Sequence, residues 1–132
     1  SYEKSLPIIS EYSEYSYSEP EFSWEIPVGV TAIEFPNSND FLKYQDYLFV
    51  ADTNNGIIYK FKLDESRTKF EFNSPHLQDN VLNMLKDSSG NEPMDEIVFA
   101  KNLGLISDMK FGPDGALYVI SLMEGKIYKI ST

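Results

Sequence analysis

The sequence predicts an all-β protein made of two four-stranded antiparallel meanders, the unit that forms a β-propeller blade. The main observation is an internal repeat: residues 47–61 recur as residues 116–130, so that Gly56 corresponds to Gly125 and Tyr59 to Tyr128, 69 positions later. A strand of alternating apolar and polar residues precedes each copy, and a glycine turn divides each copy into two strands. Because a propeller ring needs about four to eight blades, two blades predict partners outside the chain.

The elements follow from local patterns. Residues 1–21 are rich in Ser, Tyr and Glu and predict a flexible arm, although their Tyr–Ser alternation also fits an edge strand. Residues 22–26 place Phe, Trp and Ile on one face and predict a half-buried strand that ends at Pro27. Further strands are predicted at residues 31–35, 47–52, 57–63, 69–72, 96–100, 107–111 and 126–131 and in the second repeat copy, with a helical turn at 41–45 and tight turns at 54–56 and 112–115.

One longer helix is predicted over residues 77–86, since Leu77, Val81, Leu82 and Leu85 recur at helical spacing and Gly90 follows. We expect it to be an insertion that packs outside the two meanders. The strand at residues 126–131 lacks an outer neighbour in sequence order. Residues 22–26 are the natural candidate to complete that sheet, within one chain or across two.

Composition excludes several classes of function. The formal net charge is −10 and only 11 residues are basic, which argues against binding to nucleic acid or to anionic membrane surfaces. There is no cysteine, so disulfides and thiolate chemistry are excluded. No apolar run reaches the length of a membrane-spanning helix. The acidity is explained most simply by solubility.

The candidate site residues have two interpretations each. His76, the only histidine, is predicted to lie on the surface, because a general base needs an orienting carboxylate and a pocket. Residues 52–56 carry clustered oxygen ligands that suggest calcium, but they lack EF-hand spacing and fit a hairpin turn better. Trp24 with Phe22 predicts core packing in preference to a sugar-stacking platform. Tyr59 and Tyr128 are predicted to pack between blades, and the acidic, Tyr-rich residues 11–21 could also form a docking arm.

Several motifs, in order, resemble the C-terminal part of the glucose/sorbosone dehydrogenase family over residues 20–130. They are Pro20-Glu-Phe-Ser-Trp24, Val30-Thr-Ala-Ile-Glu-Phe35, Leu48-Phe-Val-Ala-Asp52, Asn55-Gly-Ile-Ile-Tyr59, Leu63-Asp-Glu-Ser-Arg-Thr68 and Gly112-Pro-Asp-Gly-Ala-Leu-Tyr-Val119. The resemblance implies part of a six-bladed propeller from a family that is often exported. Several members of that family oxidise aldose sugars with pyrroloquinoline quinone (PQQ) and calcium.

The resemblance also implies where cofactor contacts would lie. Cofactor-binding relatives carry a lysine in the turn where this chain has Asn54 and Asn55, and arginines in the segment where it has Leu105 and Ser107. A tricarboxylate cofactor needs cationic partners, so these positions are weak cofactor-binding candidates. The family's catalytic histidine and calcium ligands belong to earlier blades, so no catalytic residue, metal ligand or cofactor is predicted in this chain.

Two functions remain open. The first is a two-blade C-terminal segment of a glucose/sorbosone dehydrogenase-like propeller, with residues 1–21 as an arm and residues 22–132 as the two-blade unit, inactive by itself. The second is a non-catalytic propeller module that assembles with itself and binds a sugar, another small molecule or a protein. Exposed apolar faces and open strand edges predict self-association. A trimer is favoured, because three pairs of blades make the six of the resembled family.

Overall fold

The computed structural model describes residues 14–83 and 93–132, and this part of the chain is mostly β. Three short 3₁₀ helices cover Asn39–Tyr44, Pro75–Leu77 and Pro93–Glu96. Nine strands lie in these residues: β1 (Ser23–Trp24), β2 (Val30–Glu34), β3 (Tyr47–Asp52), β4 (Ile57–Lys62), β5 (Val81–Leu82), β6 (Val98–Ala100), β7 (Ile106–Phe111), β8 (Leu117–Ser121) and β9 (Lys126–Ile130). The predicted all-β class is therefore confirmed.

The first sheet has four antiparallel strands in the order β2-β3-β4-β6. Its centre is the β3–β4 hairpin, in which Tyr47 pairs with Lys62 and Asp52 with Ile57. Gly56 closes the turn at a φ of +64°, a conformation that glycine adopts without steric cost. The predicted hairpin is thus confirmed, and the first sheet has four antiparallel strands, although its fourth strand is β6 and β5 intervenes in the chain. The helical turn near Phe41 is present as the 3₁₀ helix Asn39–Tyr44.

The second sheet contains three antiparallel strands in the described residues, in the order β7-β8-β9. The prediction of four strands here is wrong for this part of the chain, since β9 is an edge strand. The neighbour that we expected, at residues 22–26, lies elsewhere: β1 pairs in parallel with β5, with Ser23 opposite Val81 and Trp24 opposite Leu82. The physical reason is aromatic packing. The ring of Phe22 contacts that of Phe61 on the first sheet, with 4.6 Å between the two ring centroids.

The helix predicted over residues 77–86 is wrong in its described part. A 3₁₀ helix ends at Leu77, Asn80 takes a φ of +58°, and strand β5 follows at once. Both Leu77 and Leu82 are buried in the same cluster. The spacing of these two leucines fits a helix, but here a turn followed by a strand buries both of them. Residues 84–86 lie outside the described residues. The strand predicted at residues 69–72 is reduced to a single bridge between Leu63 and Phe70.

Two hydrophobic clusters lie on opposite faces of the first sheet, since neighbouring residues of a strand point to opposite sides. On one face, Val50, Tyr59 and Phe61 pack under β1 and β5 together with Phe22, Ile57, Leu77, Leu82 and Ile97. On the other face, Phe49, Ala51 and Ile58 pack against the second sheet together with Phe41, Leu103, Ile106, Met109, Leu117 and Val119. The two sheets are therefore stacked, and Thr31 Oγ1 on β2 donates to the Ile106 carbonyl oxygen on β7 at 2.9 Å.

Two exposed apolar patches lie on the outer sides of this stack. The β2 patch consists of Val30, Ile33 and Phe35, and Ile33 is on the face of the first sheet that points away from the second, because it pairs with Val50. The β8–β9 patch consists of Ile120, Leu122, Met123 and Ile127. Ile120 pairs with Ile127 on the face of the second sheet opposite the buried Val119. The two patches therefore point in opposite directions.

Candidate functional site

The β3–β4 turn is held by a buried carboxylate at the end of β3. Asp52 is fully buried. Its Oδ1 accepts the backbone N–H groups of Asn54 at 2.9 Å and Gly29 at 3.1 Å, and its Oδ2 accepts Nδ2 of Asn55 at 2.6 Å. An Asp that accepts the N–H two residues later forms an Asx turn. These bonds join the turn to the segment before β2 and fix the orientation of Asn55.

Tyr59 contributes the fourth hydrogen bond to this carboxylate, from the opposite strand of the hairpin. Its hydroxyl donates to Asp52 Oδ2 at 3.5 Å. Burial, and then the charge of Asp52, raise the pKa of Tyr59 to about 12, so the ring stays neutral. The indole N–H of Trp24 is buried without a hydrogen-bond partner among the described residues. This indole N–H is close to the Tyr59 hydroxyl, and its effect there is to lower the pKa of Tyr59, which opposes part of the rise.

Trp24 lies on top of this cluster, with its ring held by other aromatic side chains. The ring centroids are 5.0 Å from Phe22, 5.3 Å from Tyr59 and 6.0 Å from Phe61. The side chain is half-buried. The prediction that Trp24 and Phe22 pack in the core is therefore confirmed for their contacts, while part of the indole stays open to solvent.

A cleft of about 120 Å³ lies where Trp24 meets the hairpin turn. The described side chains that line it are uncharged, and most of the surface that they present to the cleft is apolar. The described residues that line it are Trp24, Ile26, Pro27, Val28, Asn54, Asn55, Leu82 and Asn83. Three distant parts of the chain meet here: β1 with the residues after it, the β3–β4 turn, and the end of β5.

The structure brings together some of the predicted candidates and separates others. Asn54 and Asn55 lie in the cleft beside Trp24, a neighbour that their positions in the sequence did not predict. Ser107 does not line it and is exposed on β7. His76 is exposed in the 3₁₀ helix Pro75–Leu77, as the sequence predicted. Its backbone N–H donates to Ser74 Oγ.

The repeated tyrosines have different surroundings. Tyr59 is fully buried in the cluster under β1, whereas Tyr128 is half-buried and donates its hydroxyl to Glu124 Oε2 at 2.6 Å. That hydrogen bond is the main reason why the pKa of the Tyr128 hydroxyl is raised, and burial raises it by a smaller amount. The prediction that both residues pack between the sheets holds for Tyr128, which packs against the cluster between them. It is wrong for Tyr59, which lies in the cluster on the opposite face of the first sheet. Position 52 carries the buried carboxylate, and its repeat equivalent is Ser121, whose hydroxyl offers no negative charge.

The residues at the cleft do not fit PQQ. Its carboxylates need cations, but the described lining residues include no Lys, Arg or His, and the Asp52 carboxylate lies under the turn. A calcium ion does not fit at Asp52 either, because four donor groups already surround this carboxylate. In residues 14–83 and 93–132, no three His, Cys, Asp or Glu side chains are grouped closely enough to hold a metal ion.

Sequence reasoning missed the partners of Asp52. Gly29 and Tyr59 are 23 and 7 positions away, and nothing local connects either of them with the turn. The signal that was available is the Asp that ends a strand three residues before an Asn-Gly pair, a sequence typical of a turn in which the Asp side chain accepts a backbone N–H. That signal predicts the backbone bond to Asn54 but not the bonds from Gly29 and Tyr59.

Comparisons with models of protein families, with curated proteins and with solved structures found no match to this chain. Among the described residues, no helix is long and apolar enough to cross a membrane.

Proposed function

We propose that this chain is a non-catalytic pair of β-propeller blades that assembles with further blades through its two outer faces. The single observation that carries the proposal is the opposed β2 and β8–β9 patches, which leave seven large apolar side chains exposed. Their exposed fractions reach 57% in the β2 patch, at Ile33, and 79% in the β8–β9 patch, at Met123. Large apolar side chains that are exposed together on one side of a protein are typical of interaction sites.

The stacking of the two sheets also supports blades. In a propeller, neighbouring sheets pack face to face around an axis. Here β2 and β7, the first strands of the two meanders, are in contact through the bond from Thr31 to Ile106. The buried cluster of Phe49, Ile58 and Val119 fills the space between the sheets. The resemblance to the glucose/sorbosone dehydrogenase family supports the same arrangement and a ring of six blades.

Different patches on opposite sides favour a head-to-tail contact. Such contacts form a closed ring when the rotation between copies closes, and an open filament when it does not. Three copies of a two-blade unit would make a six-bladed ring in which each β8–β9 patch covers the β2 patch of the next copy. No strand of the described residues pairs with the outer edge of β9, which offers backbone groups for pairing.

Charge acts against this assembly. Each chain has a formal net charge of −10, so copies repel one another at long range, and salt screens this repulsion within about 10 Å at 0.1 M. An apolar contact between acidic chains should therefore strengthen when salt is added. A contact that depended on ion pairs would weaken.

Light scattering after size-exclusion chromatography tests the proposal, since the chain mass is 15.1 kDa. We expect a trimer mass for the wild type and a monomer mass for the double variant Ile120→Glu with Ile127→Glu. Leu42→Glu is the matched control, because Leu42 is also exposed, at 61%, but lies on the 3₁₀ helix Asn39–Tyr44 outside both patches. A wild type that stays monomeric in high salt, or a trimer that survives the double substitution, contradicts the proposal.

A second candidate is a segment of a sugar dehydrogenase that needs upstream blades for activity. It is favoured by the position of Asn54 and Asn55 at a cleft, since cofactor-binding relatives carry a basic residue in this turn. We expect no dye reduction with PQQ, calcium and an aldose. Asn54→Lys combined with Ser107→Arg should not create activity either, because the catalytic base and the metal site are not supplied. Saturable quinone binding with sugar-dependent turnover would establish the enzyme instead.

A further inference from the structure

We infer that Asn55 is a modification site, at which slow conversion of the side-chain amide to a carboxylate releases the contact between the two sheets. Asn55 is the only asparagine in the sequence that a glycine follows. Because glycine has no side chain, its backbone nitrogen can reach the side-chain carbonyl carbon of the preceding residue with little hindrance. Asn55 is also exposed, so solvent reaches its amide. The inference concerns a contact within one chain and does not rest on the proposed assembly.

The reaction needs only the chain and water. The backbone nitrogen of Gly56 loses its proton to base in the solvent and attacks Cγ of Asn55. The bond from this nitrogen to Cγ forms, the bond from Cγ to Nδ2 breaks, and Nδ2 takes a proton from water and leaves as ammonia. Water then opens the five-membered imide at one of its two carbonyl carbons. The product is an aspartate, or an isoaspartate in which the main chain runs through the former side chain.

Asp52 restrains this reaction in the folded protein. Ring closure brings Cγ of Asn55 to bonding distance of the Gly56 nitrogen, so the side chain and the backbone of the turn must both move. The side chain is held by the hydrogen bond from Nδ2 to Asp52 Oδ2 at 2.6 Å. The backbone is held because Gly56 is buried and its carbonyl oxygen accepts the N–H of Leu103 at 3.0 Å. The rate of conversion should therefore follow local opening of the turn.

The products cannot keep the contacts of the turn. Both products lose the amide donor of Asn55 and add a negative charge beside the buried Asp52 carboxylate, which repels it. An isoaspartate also adds one carbon to the main chain immediately before Gly56. The turn is packed closely there, since a Cβ at Gly56 would lie 2.8 Å from the backbone nitrogen of Gly104. A longer turn must move away from Gly104, and the two sheets lose this contact.

Peptide mapping by mass spectrometry locates the conversion and measures its rate. The full chain is incubated in mildly alkaline buffer, once folded and once unfolded in urea. We expect Asn55 to convert before any other asparagine in both samples. Conversion should be at least about tenfold slower in the folded protein, the effect of one charge-assisted hydrogen bond. Equal rates with and without urea, earlier conversion of another asparagine, or no conversion of folded Asn55 within months would each overturn the inference.

Asp52→Asn tests whether Asp52 sets the rate. We expect Asn55 to convert at least about fivefold faster than in the wild type, because a neutral acceptor holds the amide less strongly. Leu117→Ala is the matched control: Leu117 is fully buried between the sheets, so its truncation destabilises the fold at least as much but keeps the bond from Asn55 to Asp52. Both variants are compared at a temperature where circular dichroism shows them folded. Equal acceleration in both would show that global unfolding sets the rate, and the role of Asp52 would be rejected.

Asn55→Asp supplies the aspartate product directly and tests its consequence. Urea unfolding should give a folding equilibrium constant at least about tenfold smaller than that of the wild type. Asn54→Asp is the matched control, because Asn54 is an exposed neighbour that bonds Asp52 only through its backbone N–H. It adds the same charge to the turn and keeps both hydrogen bonds. Equal losses in the two variants would show that the Asn55 amide does not hold the turn, which contradicts the inference.

Discussion

The two equivalent turn glycines of the repeat offer a controlled test of the packing between the sheets. Gly56 and Gly125 have φ angles of +64° and +61°, so alanine is strained at both. A Cβ added at Gly56 would lie 2.8 Å from the backbone nitrogen of Gly104 and 2.9 Å from its carbonyl oxygen, whereas a Cβ at Gly125 would meet no described atom within 4 Å. Gly56→Ala therefore adds a collision that Gly125→Ala lacks.

The magnitudes follow from these two contributions. A left-handed alanine costs about 1–2 kcal/mol, and the reduced entropy of the unfolded chain offsets about 0.4–1 kcal/mol. Gly125→Ala should thus lower the free energy of unfolding by about 1 kcal/mol. At Gly56, overpacking adds about 1–3 kcal/mol, because Gly104 itself has a φ of +70° and Leu103 donates its N–H to the Gly56 carbonyl oxygen at 3.0 Å. We expect Gly56→Ala to cost about 2–4 kcal/mol.

Urea unfolding followed by far-UV circular dichroism measures the difference. All three proteins should be compared in the same assembly state and at one protein concentration, since association changes apparent stability. The free energy of unfolding should depend on urea concentration with a similar slope in all three proteins, so that differences in the unfolding midpoint report differences in stability. If the two alanine variants lose the same free energy within about 0.5 kcal/mol, the contact between the β3–β4 turn and Gly104 is not as tight as the structure places it.

Three further predictions concern buried and charged groups. Asp52→Asn should lower the free energy of unfolding by about 2–3 kcal/mol, because the charge-assisted hydrogen bonds of Asp52 weaken or are lost. Ser121→Ala removes a buried hydroxyl without a described partner, so it should be neutral or stabilising by up to about 1 kcal/mol. Urea unfolding that gives the opposite ranking would contradict this. Wild-type stability should fall between pH 10 and 12, where the unfolded chain releases the Tyr59 proton while the folded chain keeps it. Tyr59→Phe should fall less steeply there, and equal slopes in urea midpoints would refute the cause. The Lys129 ammonium, 2.8 Å from Asp114 Oδ2, holds the pKa of Asp114 below its ordinary value, so the stabilising effect is present above that ordinary value and is lost as the pH falls through the lowered one. Lys129→Met should raise the Asp114 pKa in a carboxyl NMR titration, and an unchanged value would exclude the ion pair as a cause.

Local signals in the sequence were enough for the hairpins. Residues 47–52 and 57–62 are mostly apolar runs on either side of a turn, and both of their faces are buried. Gly56 allows the turn between them. For this reason the β3–β4 hairpin, its turn and the all-β class could be predicted without knowing the rest of the fold. The same applies to the turn at residues 112–115, where Gly115 has a φ of +82°.

Predictions that depended on distant partners failed. The leucine spacing at residues 77–86 fits a helix, but Leu77 and Leu82 are buried by β1 and β4, and the pairing of β1 with β5 draws this segment into a strand. The strand at Trp24 was predicted to complete the second sheet, yet aromatic contacts with Phe22, Tyr59 and Phe61 hold it on the first. Hydrophobic spacing shows that a residue is buried but not which residues bury it.

The candidate site follows the same division. Its side chains, Trp24, Asn54 and Asn55, could each be selected in the sequence because an aromatic ring and side-chain amides have recognisable chemistry. That they share one cleft depends on hydrogen bonds from Gly29 and Tyr59 to Asp52, which join residues far apart in the chain. Side-chain chemistry is a local property of each residue. The distance between two side chains is set by the packing of all the elements between them.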